Sequence, residues 1–170
     1  LQKAITIMKE IWEIFYNKDI QLLQKNKIKD NDLFVNPIDL NDSNIPNGNS
    51  VYLNLCNKVY IITNDKFWFD KVEILKKSFH QVLNSFFSQM FSFIKTLDLC
   101  ENSISFTFFG NKDSVKDIKV NLQKNYLGRA TFVYKNNDEN EGCVVICKNQ
   151  TCSEKLKDLS EVKNYLENRI

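Results

Sequence analysis

The sequence predicts an α+β fold in which about four α-helices, arranged as α/α hairpins over residues 1–100, precede a small β-α-β-β-α subdomain over residues 101–170. Two observations predict this division. In residues 5–15 and again in residues 68–97, apolar residues recur at every third or fourth position, which is the spacing of one helix face. After Asn102, short apolar runs end at turn-forming residues, as strands do. A chain of 170 residues has room for one domain or for two small lobes.

The helical part begins with a predicted helix over 1–17, which ends at Asn17. Residues 18–49 mix short apolar pieces, such as residues 33–35, with charges, Asn and Pro, and we expect irregular chain with room for a short hairpin. A second helix is predicted over 51–62, with Asn47 or Asn49 as its N-terminal cap, and Asp65 is placed to cap the next helix. The apolar series of the first helix is Ile5, Met8, Trp12 and Phe15.

A longer helical series runs from Trp68 to Leu97. One helix of this length would be unusual in so small a domain, so we place a break within 85–89, where Ser and Gln interrupt the pattern. The two resulting helices are expected to pack on each other. Their aromatic residues cover more than one helix face and must be buried on several sides, within this chain or against a partner. These residues are Phe86, Phe87, Phe91 and Phe93.

The second part alternates strands and helices. We predict a strand over 103–109 that ends at Gly110, a helix over 113–126, a strand over 130–134, an acidic loop over 136–141, a strand over 143–147 and a closing helix over 159–170. The order strand, helix, strand is typical of a right-handed parallel crossover.

Charge and composition exclude several classes of function. Lys and Arg number 23 against 21 Asp and Glu, without any charged block, which argues against a nucleic-acid partner. No apolar run is long enough to cross a membrane. Five cysteines at irregular spacing favour reduced thiols and a cytoplasmic location. Because the chain begins with Leu1, we expect it to be a piece of a longer protein.

The cysteines do not form a recognisable metal site. Cys143, Cys147 and Cys152 are spaced as C-x3-C and C-x4-C, whereas zinc ligands usually come in closer pairs, so we predict no metal and no cofactor. If the four residues between Cys147 and Cys152 form a hairpin, these two come within disulfide reach. Two alternatives stay open: a structural or redox-active pair, or buried inert thiols, which the residues alone favour. No catalytic residue is assigned, since His80 has no visible acid or nucleophile partner.

The segment 42–50 is the most suggestive polar element. Its side-chain amides, together with Pro46 and Gly48, lie at the start of a helix, where they can present donors and acceptors to a small ligand. The alternative is an ordinary capped helix start, which the residues alone favour.

In their order, these segments resemble the C-terminal part of the YyaL-like proteins, the spermatogenesis-associated family with a thioredoxin-like domain and a six-hairpin α/α toroid. The family's loop has Asp and then Pro-Ser-Gly-Asn-Ser, and its tail has Cys-x-x-x-x-Cys followed by Pro. This chain replaces the loop Ser with Asn47 and has no proline in 153–156. The matching residues are Asp42, Pro46, Gly48, Asn49, Ser50, Cys147 and Cys152.

The resemblance implies that residues 1–100 are part of a toroid akin to N-acylglucosamine 2-epimerases and six-hairpin glycosidases, and that 101–170 are a C-terminal α/β subdomain. It implies a small carbohydrate-like ligand bound by Asp42, Asn49 and Ser50, with no complete active site in this piece. The expected partner is the missing N-terminal part of the same protein, or a second copy. The alternatives are a non-catalytic interaction module that scaffolds a redox domain, and thiol redox chemistry at Cys147 and Cys152.

Overall fold

A computed structural model describes residues 1–27, 36–126, 128, 130–135, 142–148 and 151–169, apart from the side chains of residues 82, 84–86 and 169. Of the residues that the structure describes, 57% are helical and 17% are in strands, which confirms the predicted α+β class. The predicted apolar piece 33–35 and the acidic loop 136–141 lie outside the described residues. The helices are α1 (Gln2–Phe15), α2 (Gly48–Thr63), α3 (Lys66–Phe86), α4 (Phe91–Asn102), α5 (Lys116–Tyr126) and α6 (Leu159–Arg169), and the strands are β1 (Tyr16–Asn17), β2 (Leu22–Leu23), β3 (Ile104–Phe109), β4 (Ala130–Lys135), β5 (Cys143–Lys148) and β6 (Thr151–Cys152).

The chain forms two compact units. Unit 1 is Leu1–Cys100 and unit 2 is Glu101–Ile170. The core of unit 1 is built from residues of its helices and of β2, and that of unit 2 from its sheet, the residue before α5, and α5 and α6. Among the most deeply buried side chains are Leu53, Trp68, Leu75, Phe79 and Phe93 in unit 1, and Phe106, Phe108, Leu122, Val144 and Ile146 in unit 2.

Capping residues define where the two helices of the α2–α3 hairpin begin and where α2 ends. The Asn47 side chain accepts a hydrogen bond from the backbone N–H of Ser50 (2.9 Å), so Asn47, not Asn49, caps α2. Asn64 ends α2 in the left-handed conformation, and Asp65 caps α3 by accepting from the N–H of Phe67 (2.9 Å). The prediction that Asp65 caps the next helix is confirmed.

The predicted break in the long helical series is also confirmed. Helix α3 ends at Phe86, a short 3-10 turn covers Phe87–Gln89, and α4 begins at Phe91. The rings of Phe79 and Phe93 stack with centroids 4.2 Å apart, which packs α3 on α4. The first helix ends two residues earlier than predicted, because Tyr16 and Asn17 form β1. Strand β1 pairs antiparallel with β2, which lies in the segment predicted to be irregular.

Unit 2 contains a four-stranded sheet in the order β4-β3-β5-β6. Strands β3 and β4 are parallel, with α5 between them in sequence, so the predicted parallel crossover is present. Strand β5 pairs antiparallel with β3 along its whole length, and β6 adds two residues at the edge. Alternate residues of β3 are buried, and Gly110 follows with a φ of 97°, a conformation in which glycine is favoured.

Candidate functional site

Asp42 joins the loop before α2 to the start of α4. Its carboxylate accepts hydrogen bonds from the backbone N–H of Ser92 (2.6 Å) and from the backbone N–H (3.0 Å) and side-chain amide (2.9 Å) of Asn47. The Ser92 hydroxyl donates a further hydrogen bond. Burial raises the pKa of Asp42, but the hydrogen bonds from Ser92 and Asn47 together hold it below its ordinary value. This network accounts for Asp42 without a ligand, and its predicted ligand role stays a prediction.

Asn49 attaches β2 to the first turn of α2. It is 3% exposed, and its side chain accepts from the backbone N–H of Leu23 (2.8 Å) and donates to the Leu23 carbonyl (2.9 Å). Its amide also donates to the carbonyl of Asp39 at 3.3 Å. The same amide therefore satisfies both backbone groups of a residue in a very short strand, which explains why Asn49 can be buried.

Ser50, the third predicted ligand residue, is 1% exposed. Within the described part of the chain, its hydroxyl has no hydrogen-bond partner, although its backbone N–H is bound by Asn47. Asp42, Asn49 and Ser50 thus lie in one loop and helix start, and each is held by, or buried among, groups of unit 1. Their predicted role toward a ligand is not tested by this geometry.

A pocket of about 480 Å³ lies beside this helix start in unit 1. Helix α1, strand β2 and helix α2 supply apolar walls, and four polar residues and one glycine supply the rest of the lining. The apolar lining is Ile11, Phe15, Leu23, Val51, Tyr52 and Leu55, and the remaining lining residues are Gln24, Lys25, Asp39, Gly48 and Asn49. Two residues of the predicted ligand loop, Gly48 and Asn49, therefore belong to a real concavity.

The wall formed by α1 was not predicted from the sequence. The helix carries a second apolar series, Ile7, Ile11 and Ile14, beside the one that faces the core. Ile7 and Ile14 are 46% and 40% exposed, and Ile11 lines the pocket. The second α1 residue in the lining is Phe15, which belongs to the first series, and both Ile11 and Phe15 also pack against the core. The apolar spacing of α1 therefore does not by itself indicate a pocket wall.

Helix α1 is held in place by contacts with α2 and α3. The Tyr52 hydroxyl donates to the carbonyl of Met8 (2.7 Å), and burial raises the pKa of Tyr52. The Lys71 ammonium lies 3.9 Å from the ring centroid of Trp12 and 4.8 Å from that of Phe67, and burial lowers the pKa of Lys71. The contact of Lys71 with Trp12 connects α1 with α3, whereas Phe67 lies on α3 itself.

Cys147 and Cys152 form a disulfide in unit 2. They are directly opposite each other in the β5–β6 pair, with Cα atoms 4.0 Å apart. Of the two alternatives that the sequence left open, the structure therefore has the pair, and the expectation of buried thiols at these positions is wrong. The exposed side chain of Cys152 confirms this. Whether the pair is redox-active is a separate prediction.

A second cleft, of about 430 Å³ and more polar, lies in unit 2 between α6 and the segment after β6. Its lining includes Glu154, Lys155, Glu161 and Tyr165. In the described part of the chain, no group of three or more His, Cys, Asp or Glu side chains is placed to hold a metal ion. None of the described helices is long and apolar enough to cross a membrane.

No family model matches this sequence, and no curated protein matches it either. The resemblance to the YyaL-like proteins therefore stays a prediction, as do the toroid and the thioredoxin-like partner domain that it implies.

Proposed function

We propose that unit 1 is a binding module whose pocket between α1, β2 and α2 takes a small ligand with an apolar body and a polar end. The pocket itself is the observation that supports this. Its volume of about 480 Å³ lies within the range of small-molecule sites, about 300–1,000 Å³. Apolar walls with a few polar groups are the usual composition of such sites. We propose no catalytic step.

The chemistry of the lining supports this class of ligand. Val51 and Leu55 are 44% and 40% exposed, so a ligand that covers them removes apolar surface from water. Lys25 and Asp39 are exposed and also line the pocket, where they can meet the polar end of a ligand. A medium-chain carboxylate such as decanoate, with its charge toward Lys25, has this combination.

The carbohydrate-like ligand implied by the resemblance is the competing proposal for the same pocket. The position of Gly48 and Asn49 in the lining supports it. Against it, the amide of Asn49 is already bonded to Leu23 and Asp39, and sugars need several uncommitted polar partners. In the carbohydrate-binding proposal, the chain completes a larger toroid together with the N-terminal part of the same protein.

A second candidate function is a non-catalytic interaction module. Phe87 and Phe91 are 60% and 66% exposed at the junction of α3 and α4, and exposed aromatic pairs favour protein contacts. A second copy of the chain is the proposed partner. Light scattering tests this: self-association that the Phe87→Ser/Phe91→Ser variant abolishes supports it, and a monomer at high concentration contradicts it.

The pocket proposal is tested by displacement of 1-anilinonaphthalene-8-sulfonate with decanoate, followed by fluorescence. Val51→Asp places a charge on the pocket wall and should weaken decanoate binding about tenfold or more, which is about 1.4 kcal/mol. Val120→Asp is the matched control, because Val120 is a 43% exposed valine on α5. Equal effects of the two variants would contradict the proposal. Displacement by N-acetylglucosamine, and not by decanoate, would favour the carbohydrate.

A further inference from the structure

We propose that Cys147 and Cys152 are a reversible dithiol/disulfide couple at the edge of the unit 2 sheet, which exchanges electrons with a dithiol that can close to an intramolecular disulfide. This site is separate from the pocket of unit 1 and does not depend on the function proposed for it.

The position of the two sulfur atoms favours exchange. Cys152 lies on the edge strand β6 and is exposed, whereas Cys147 on β5 is half-buried. Exchange rates depend on which sulfur an incoming thiolate can reach, so attack at Cys152 is favoured. Buried structural disulfides lack this access.

Hydrogen bonds, besides the disulfide, hold the chain around the pair. Beyond the pair, the N–H of Ser153 donates to the carbonyl of Ile146 (2.8 Å), and the N–H of Ile146 donates to the Ser153 hydroxyl (3.0 Å). Val144 and Leu156 exchange two backbone hydrogen bonds of 2.8 and 2.9 Å. These bonds hold the segment after β6 against β5, so the two thiols stay side by side after reduction and can close again.

The short spacing of the pair also favours a chemical over a structural role. The sequence separation of the two cysteines is five residues. In the loop-entropy description, a disulfide that closes so short a loop restricts the unfolded chain less than one that closes a long loop. Reduction should therefore leave unit 2 folded.

The other three cysteines are poorly placed for this exchange. Cys56 and Cys143 are 0% and 3% exposed, and Cys100 is half-buried. Burial raises the pKa of Cys56 to about 12, so its thiol is protonated at neutral pH. Exchange should therefore be confined to the Cys147–Cys152 pair.

The exchange balances as a two-electron transfer. One thiolate of the dithiol attacks Sγ of Cys152, the sulfur–sulfur bond breaks, and Cys147 leaves as a thiolate that takes up a proton. The second thiol of the partner, as its thiolate, then attacks the mixed disulfide and releases Cys152 as a thiolate, which is protonated. The chain gains two electrons and two protons, and the partner becomes a cyclic or intramolecular disulfide.

The test is a redox titration of the full chain with mixtures of reduced and oxidised dithiothreitol, without denaturant, followed by denaturation, alkylation and mass spectrometry. The oxidised chain should take three alkyl groups and the reduced chain all five. The disulfide should be reduced and should form again as the ratio of reduced to oxidised dithiothreitol is changed, while the far-UV circular dichroism stays the same. A pair that needs denaturant for reduction, that does not close again, or whose reduction unfolds the chain would overturn the proposal.

Variants in which one of the two cysteines is replaced test which sulfur atom is more accessible to exchange. In Cys147→Ser, oxidised glutathione should form a mixed disulfide at Cys152 faster than it does at Cys147 in Cys152→Ser. Cys100→Ser is the control, since it should leave the two-electron transition intact. Equal rates at the two positions, or loss of the transition in Cys100→Ser, would contradict attack at Cys152 and confinement to the pair.

Discussion

Side chains in and just after the loop before α2 make hydrogen bonds that stabilise unit 1. Asp42 bonds the start of α4, and Asn47 caps α2. The sequence narrows the cap of α2 to Asn47 or Asn49, because capping is a local interaction with the next three residues. It could not predict the bond between Asn49 and Leu23, which are 26 residues apart and meet only in the folded unit. An Asn before a helix is compatible with both roles.

The first prediction concerns Asn49. Asn49→Ala leaves the N–H and carbonyl of Leu23 without their partner, and we expect the free energy of unfolding to fall by about 2–4 kcal/mol. Asn57→Ala is the control, because Asn57 is also buried but, among the residues that the structure describes, its side chain donates one hydrogen bond, to the carbonyl of Leu99, at 3.3 Å. Its expected loss is about 1 kcal/mol. Urea unfolding measures both, and equal losses would contradict the role given to Asn49.

The second prediction concerns the pH dependence of stability at Asp42. The folded-state pKa of Asp42 is lowered, so the stability it contributes is present above its ordinary value of 3.8 and is lost as the pH falls through the folded-state pKa. Asp42→Asn should lower the free energy of unfolding by about 1–3 kcal/mol at neutral pH. This difference in free energy between wild type and variant should become smaller in acid.

Urea unfolding at several pH values measures this difference. The control Asp70→Asn removes an exposed carboxylate from α3, whose ion pair with Lys66 is at the surface. If the free energies of unfolding of wild type and Asp42→Asn differ by the same amount throughout the acid range, the charge of Asp42 does not stabilise the fold.

At the scale of elements, the long helices were the easiest to predict, because their periodic apolar faces extend over several turns. The short strands β1, β2 and β6 have two residues each and therefore carry no periodic signal. Strand β6 is also the element that brings Cys152 opposite Cys147, which is why the sequence left the pairing of these cysteines open. The pocket wall on α1 consists of Ile11 and Phe15, which also pack against the core, so their spacing in the sequence indicates burial and does not indicate a pocket.

The third prediction concerns the contact of α1 with α3. Lys71→Met removes the ammonium from the faces of Trp12 and Phe67 and should lower the free energy of unfolding by about 0.5–2 kcal/mol. Lys71→Arg should retain most of this stability, because guanidinium also binds aromatic faces. Lys77→Met, at an exposed position of the same helix, is the control. Chemical denaturation measures all three, and a Lys71→Met variant as stable as wild type would argue against the contact.

At the scale of the whole chain, the structure has two separate cores. The residues of one core come from Leu1–Cys100 and those of the other from Glu101–Ile170. The α+β class followed from the change of apolar pattern near residue 100. The pocket did not follow, because it depends on how α1, β2 and α2 are placed around a space, which no local pattern records.

The fourth prediction is that the two cores respond separately to mutation. Both tryptophans of the chain, Trp12 and Trp68, are in unit 1, so tryptophan fluorescence reports on that unit. Leu75→Ala in unit 1 should shift the fluorescence unfolding midpoint, with a loss of about 2–5 kcal/mol. Ile146→Ala in unit 2 should leave that midpoint unchanged and lower hydrogen-exchange protection in unit 2. A fluorescence shift in Ile146→Ala would contradict separate cores.

The central proposal is that the pocket in unit 1 binds a small ligand. An NMR titration of the ¹⁵N-labelled chain with decanoate tests this proposal most directly. We predict saturable chemical-shift changes that cluster at Gly48, Val51 and Leu55 and at the facing part of α1, while the amides of unit 2 stay unchanged. Val51→Asp should suppress these changes and Val120→Asp should not. Shifts that do not saturate, or that cluster in unit 2, would contradict the assignment of a ligand site to this pocket.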